Sequence, residues 1–290
     1  MNSRIIVILL ILCGLTSFSQ TNHCLHVSGN VGISSLIYNI DGGYGKPKLS
    51  YGGKFGYIYY FSPYWGFGVG LEAAMYNTDG YLNGTKTVFN NQIDDEGDTY
   101  RKEVYFRDWH ELQTILFAEL PVMIQYQYDF GMNKRRKIYI NIGAKFQLPL
   151  MANYNATGEL ETQGYYEKWN VMLYNMPNHG FGSEKRTAAG SMSLPFNVCA
   201  SFGIGFAFEV SPIMDIFLGG TFDYGFLNLK AGNNGDLLYG DQNNLQYRGI
   251  LFSSVAEKVN TVSAKGEIGL RFAIGKPMTK KPPQHKTKKR

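Results

Sequence analysis

The chain predicts an all-β fold: an antiparallel transmembrane β-barrel of about eight strands, with short periplasmic turns and long external loops. Three observations lead there. Segment after segment alternates apolar residues with small or polar ones at period two, and the apolar face is too continuous for the solvated outside of a soluble barrel. Of 290 residues 34 are Gly, and 15% are aromatic, a bias that suits tight internal packing and aromatic rims. Beyond its first residues the chain holds no long apolar helix. If it lies in a membrane it must do so as a closed barrel, the other structure that satisfies every backbone group in lipid.

The first residues indicate export. Met1 to Arg4 carry one basic charge, Ile5 to Leu12 are uninterrupted apolar, and Ser17-Phe18-Ser19 has the small-x-small pattern of a cleavage site. Residues 1–19 therefore read as a signal peptide, its apolar run too short to span a bilayer as a helix. Neither Cys13 nor Cys24 has the surroundings of a lipid-acylated cysteine. Only Cys24 and Cys199 survive cleavage, too few for a disulfide framework. The formal charge of +5 is misleading, because Lys276, Lys280, Lys281, Lys286, Lys288, Lys289 and Arg290 supply seven positive charges with no acid among them, leaving −2 elsewhere. No aromatic residue interleaves with those charges, so nucleic-acid binding has only raw charge behind it.

The clearest alternation is Phe196 to Phe208, where Phe196, Val198, Ala200, Phe202, Ile204, Phe206 and Phe208 share one parity. The same pattern predicts strands over Leu25 to Tyr38, Leu49 to Phe61, Trp65 to Met75, Tyr105 to Tyr128, Ile138 to Leu148, Ile216 to Phe226 and Val262 to Phe272. Pro121 falls inside the fourth strand, and its missing donor predicts a bulge or bend there. Connections alternate in length. Ser62-Pro63, Asp129 to Lys137 and Ser211 to Asp215 are short. Asn39 to Lys48 is longer, and Asn77 to Glu103, Met151 to Leu194 and Leu227 to Thr261 are far longer, polar, and read as loops without a core pattern. That asymmetry puts the short turns and both termini in the periplasm. Tyr57, Tyr59, Phe61, Tyr64, Trp65, Tyr126 and Tyr128 then form a girdle at the periplasmic interface. One barrel over 20–275 and a basic, proline-broken periplasmic tail over 276–290 complete the organisation.

The run AELPVMIQYQY, the basic turn FGMNKRRK and the following KIYINIGAKFQLPL resemble the outer-membrane β-barrel domains common in Bacteroidetes, including the PorT-like group and OmpA-like barrels. The closing GEIGLRFAIG, with Phe272 near its end, is similar to the last strand of such barrels. The resemblance covers most of Leu25 to Ile274 and implies an outer-membrane location and a subunit role in an envelope or secretion complex. It supplies no catalytic motif, and no peptidoglycan-binding domain follows the barrel.

If the apolar parity faces lipid, Lys54, Lys145, Lys265 and Arg271 point inward with Glu72, Glu111, Glu119, Glu209, Asp223 and Glu267. An eight-stranded barrel is only wide enough inside for side chains, so mixed charges are expected to pair across the lumen and plug it. A small channel is the alternative. A lipid-modifying enzyme is another, prompted by His26 and Ser28 on one strand face, but no acid is placed to complete a relay. His110 and Glu111 are neighbours on opposite faces, and His179 stands alone in a loop. Asp94-Asp95-Glu96-Gly97-Asp98 has oxygen ligands without the spacing of a calcium loop. No metal and no cofactor are expected. Tyr154, Tyr165, Tyr166, Trp169 and Tyr174 are candidate binding aromatics in an external loop. Outer-membrane lipid is the expected surrounding, an envelope protein complex a candidate partner, and anionic lipid or cell-wall polymer a candidate contact of the basic tail. A secreted lipocalin-like barrel or a β-sandwich is the runner-up fold.

Overall fold

The computed structural model describes residues 23–38, 40, 42–131, 135–230, 235–241 and 244–274. The expected signal peptide over 1–19 and the basic tail over 276–290 lie outside the described residues. The chain runs β1 (His23–Tyr38), β2 (Gly43–Tyr60), β3 (Trp65–Leu82), β4 (Lys86–Ile93), β5 (Thr99–Phe130), β6 (Arg136–Tyr166), β7 (Val171–Leu173), β8 (Gly182–Ser191), β9 (Asn197–Ser211), β10 (Met214–Gly225), β11 (Leu238–Asp241), β12 (Asn244–Tyr247) and β13 (Val259–Ile274).

Eight of these strands close a ring in the order β1, β2, β3, β5, β6, β9, β10, β13, each antiparallel to its neighbours. The seam is the pairing of β1 with β13, continuous from His23↔Ile274 to Tyr38↔Val259. Among the described residues no helix is long and apolar enough to cross a membrane. The period-two pattern decides which side each residue faces. On β9, Phe202, Ile204, Phe206 and Phe208 stand exposed on the outside while Ser201, Gly203, Gly205 and Ala207 are buried inside. Val27, Val31, Phe55, Phe67, Leu71, Ile124, Ile142, Leu218, Phe222 and Ile268 continue this exposed apolar belt around the ring. At the short-turn end Trp65 packs on Tyr126 with ring centroids 5.0 Å apart, and Tyr64 lies 6.4 Å from the same ring.

Three segments expected to be loops are instead ordered structure. β5 has 32 residues and β6 has 31, about three times the 9–11 that a membrane-spanning strand needs. Above the belt they stay paired from Arg101↔Tyr165 to Arg107↔Glu159. β4 adds to the free side of β5, and β8 and β7 add to β6. The result is a raised sheet, β4-β5-β6-β8, on one side of the barrel. Its inward face is apolar: Val104, Phe106, Trp109, Ala156 and Leu160 are buried. The segment between β10 and β13 folds against that face as a lid, burying Leu229, Leu237, Leu238, Ile250 and Leu251 in the same cluster as Trp109, Phe117 and Tyr154. Its core residues are scattered among Asn, Gly and Asp, which is why local composition concealed them. Tyr38, the last residue of the expected first strand, also belongs to this core, and the longer connection expected over Asn39 to Lys48 is short, since β2 begins at Gly43 and Ile40 bridges Gly43.

Pro121 carries no bulge. The β5–β6 register passes through Pro121↔Lys145 unshifted, and on the other side the β3–β5 ladder only skips the bridges between Val69↔Val122 and Glu72↔Glu119. Gly70 lies opposite, where an added Cβ would come within 3.3 Å of the proline ring. Two of the register breaks among the strands do occur beside other prolines. Leu116↔Met151 is followed by Phe117↔Pro149, leaving Leu150 as the extra residue. β2 and β3 lose register between Pro47 and Tyr51.

Trp109, 1% exposed, is the largest fully buried side chain and joins the raised sheet to the lid. Trp109→Ala should cost roughly 3–5 kcal/mol locally. Limited proteolysis should then cut within 235–258 faster than in the parent protein, while the barrel keeps its heat-modifiable migration on an unboiled gel.

Candidate functional site

The lumen is filled by charge. Lys54, Lys145, Lys265 and Arg271 are buried there with Glu72, Glu119, Asp223 and Glu267. Lys145 is the hub, its Nζ lying 2.9 Å from Asp223, 3.1 Å from Glu72 and 3.5 Å from Glu119. Lys54 pairs with Glu267 at 2.5 Å, and Lys265 lies 3.8 Å from Glu72 and 4.4 Å above the Tyr76 ring. Neutral donors complete the carboxylates: Ser28 donates to Glu267, Asn30 to Glu72, Gln147 to Glu119, and Ser201 and Ser263 to Asp223. Arg271 sits over the rings of Tyr139 and Phe217, 5.2 and 5.5 Å from their centroids, and donates to Gln125. Gly205 and Gly219 leave the room that the Tyr139 hydroxyl occupies. A gap of about 20 Å³ remains beside His26 and Arg271, the size of a water rather than a bore.

Two of the sequence-derived inward acids stand apart. Glu111 lies above the belt and anchors the lid, accepting from Tyr247 at 2.6 Å, from the Ile250 N–H at 3.0 Å and from Gln113 at 2.7 Å. Burial pushes its carboxyl up, and those three donors partly offset the shift. Glu209 is half-buried beside the register shift between Met214 and Asp215 and makes no ion pair among the described residues. Lys137 and Asp215 take that place instead, 2.6 Å apart.

No relay forms at His26. The Ser28 hydroxyl donates its hydrogen bond to Glu267, while His26 packs edge-on against Phe217 at 6.2 Å. His110 faces outward near Asp79, at 3.6 Å. Among the described residues no group of His, Cys, Asp and Glu is arranged to hold a metal. The acidic run is a turn: Asp94 Oδ1 accepts the N–H of Glu96 at 3.1 Å and of Asp98 at 2.8 Å, with Gly97 at φ 89°.

Of two concave features among the described residues, one of about 710 Å³ lies between the β1–β2 hairpin and the lid, and the other, lined by aromatics, lies in the raised sheet. A groove of about 570 Å³ is bounded by β5, β6, β8, the turn at 94–96 and the connection carrying Trp169, His179 and Phe181. Tyr100 and Tyr166 stack at 5.2 Å, and Phe181 meets Tyr100 edge-on at 5.5 Å. Gly164 makes room for that Phe181 ring. These three are buried and form the floor, while Trp169 leans on Tyr166 at 5.5 Å and is 50% exposed. The Tyr166 hydroxyl donates to Asp94 at 3.0 Å; burial and that carboxylate push its pKa up to about 12. Lys102 lines the wall, its pKa lowered by burial and then by Arg186.

Of the five aromatics expected to bind, only Tyr166 and Trp169 meet in the groove. Tyr154 belongs to the lid core and donates to the Tyr247 carbonyl at 3.2 Å. Tyr165, on the opposite parity, stacks under Arg101 at 4.7 Å, and Tyr174 is exposed elsewhere. Tyr100, Lys102, Phe181, Glu184 and Arg186 were not expected. A cue was present, since Tyr100, Lys102, Val104 and Phe106 share one parity, but mixed polarity disguised the strand.

No family model matches the chain, and no curated relative matches it in sequence. Solved structures similar to it are outer-membrane proteins. OprG from Pseudomonas aeruginosa is 13% identical over 89% of this chain and 98% of its own, with a TM-score of 0.36. Neisserial surface protein A is 9% identical over 86% and 97%, with a TM-score of 0.30. Ail of Yersinia pestis, in complex with the heparin analogue sucrose octasulfate, is 13% identical over 86% and 99%, with a TM-score of 0.26. The barrel architecture rests on the closed ring itself.

Removing the hub should expose its importance. Lys145→Met leaves Glu72, Glu119 and Asp223 without their common cation, and breaking a buried pair costs about 3–5 kcal/mol. The urea midpoint in detergent micelles should fall at pH 7. An unchanged midpoint at pH 7 would show that Lys145 does not compensate them.

Proposed function

We propose that the protein is a non-enzymatic outer-membrane β-barrel that works through its raised external sheet, as a surface-binding subunit of an envelope complex. One observation carries this reading: the lumen is closed by the Lys145 cluster and roofed by the lid, whereas the sheet beyond the belt holds an open groove of about 570 Å³. Strands of 32 and 31 residues exceed what crossing lipid demands. Their upper halves therefore serve something else, and a rigid scaffold presenting a concave surface is the usual way to place a binding site. The resemblance to the PorT-like barrels supports a place in secretion or surface assembly. In this reading residues 1–19 direct export, the short turns and both termini are periplasmic, and the basic tail meets anionic lipid or cell-wall polymer there.

Channel activity is excluded in this reading. Reconstitution into planar bilayers should give no discrete conductance steps, and reproducible unitary steps would overturn the plugged lumen. Chemical crosslinking in native outer membranes should recover a partner protein. Trp169→Ala, which removes the exposed platform of the groove but no core contact of the barrel, should reduce that recovery several-fold without lowering the amount of folded protein in the membrane. Equal recovery from the variant would take the groove out of the binding surface.

A further inference from the structure

The raised sheet ends in two edge strands that differ in kind. β4 breaks register between Phe89 and Gln92, with Asn91 at φ 55°, the sort of bulge that blunts an edge against further pairing. β8 runs ten residues against β6 without a shift, from Thr162↔Gly182 to Asn153↔Ser191, and has no proline. The Met192 N–H donates to the Ala152 carbonyl at 2.7 Å in that same register. In an antiparallel ladder such pairs alternate, so the even-numbered residues of β8 bond to β6. Ser183, Lys185, Thr187, Ala189 and Ser191 turn their N–H and C=O groups to the open side. Those groups have no hydrogen-bond partner among the described residues. Their side chains are exposed on the outer face, while Glu184 and Arg186 on the other parity line the groove.

We propose that β8 receives an extended segment of a second envelope protein as an added strand, seated along the rim of the groove. This rests on the reading that the raised sheet is the binding surface, and it names the partner's chemistry. Main-chain bonds to the odd-numbered residues supply affinity, and alternate side chains reach either the groove or the outer face. Small residues dominate β8, so the incoming segment has small or β-branched residues, with an acid opposite Lys185. A second copy of this chain is the poorer occupant. Copies in one bilayer present β8 running the same way, and in-register pairing sets Lys185 against Lys185 and Arg186 against Arg186, like charges directly opposed.

The test places a photoreactive amino acid at Lys185, Thr187 or Ala189 in turn, in the full-length protein in intact cells, and maps the crosslinked peptides. Added-strand pairing predicts that the three positions strike one contiguous partner segment in steps of two residues. Thr187→Pro removes an edge N–H without touching the β6–β8 ladder. It should lower crosslinking from position 189 by about tenfold, the worth of a lost backbone bond plus a ring in its path. Thr187→Val should keep it, and heat-modifiable migration confirms that both variants fold. Crosslinks scattered over a partner, or falling on a second copy's β8, overturn the proposal. If Thr187→Pro leaves capture intact while Trp169→Ala abolishes it, the strand addition fails and the groove reading stands. If neither β8 nor groove positions capture any protein, both fail.

Discussion

Closure of β1 against β13 is the constraint from which the rest follows. A chain crossing lipid cannot leave a backbone N–H or C=O unpaired, and a ring of antiparallel strands meets that demand only when its first and last strands join. The sixteen-residue seam from His23 to Tyr38 does so along its whole length. Once the ring is closed, half of all side chains must face lipid and half a narrow interior. The apolar belt, the small residues on the inner face of β9 and the buried ions are consequences of that division.

The interior solves its own problem in turn. Ions buried in so narrow a bore must be paired, since isolated charges there would be prohibitively costly. Three cations, Lys54, Lys145 and Lys265, meet the four carboxylates, and Lys145 alone touches three of them, while Arg271 lies over the Tyr139 and Phe217 rings. Ser28, Asn30, Gln147, Ser201 and Ser263 supply further hydrogen bonds. A network of this kind ties the strands to one another and fills the interior around Lys145. The rigidity passes upward through β5 and β6, so the raised sheet, its groove and its unblunted edge are held by the same strands that cross the belt. The lid covers the part of that sheet's inner face nearest the belt, through Glu111 and Trp109, and the part beyond it stays open as the groove.

Much of the barrel is legible along the chain because its rule is local. Period two holds wherever one face is lipid and the other lumen, and it marks all eight ring strands. Above the belt that rule lapses. Water replaces lipid outside, so Lys86, Arg101 and Arg107 stand where Phe and Leu stand lower down, and the strands read as polar loops. The lid shows the same failure from the other side, since Leu229, Leu237, Leu238, Ile250 and Leu251 are far apart in sequence and become a core only by meeting β5 and β6. Prolines mislead for a related reason. Pro121 faces Gly70 and passes without a bulge, a fact about a partner strand, whereas two of the bulges fall at Pro47 and Pro149.

By itself the sequence determined the all-β class, the ring strands and the outward belt, because each depends on alternation between neighbours two residues apart. Only the tertiary structure decided that Lys145 is the hub, that Glu111 belongs to the lid, that Tyr154 and Tyr165 leave the groove to Tyr166 and Trp169, and that β8 presents an open edge. Each of these depends on strand register, which brings together residues tens to hundreds of positions apart, and no local pattern encodes it.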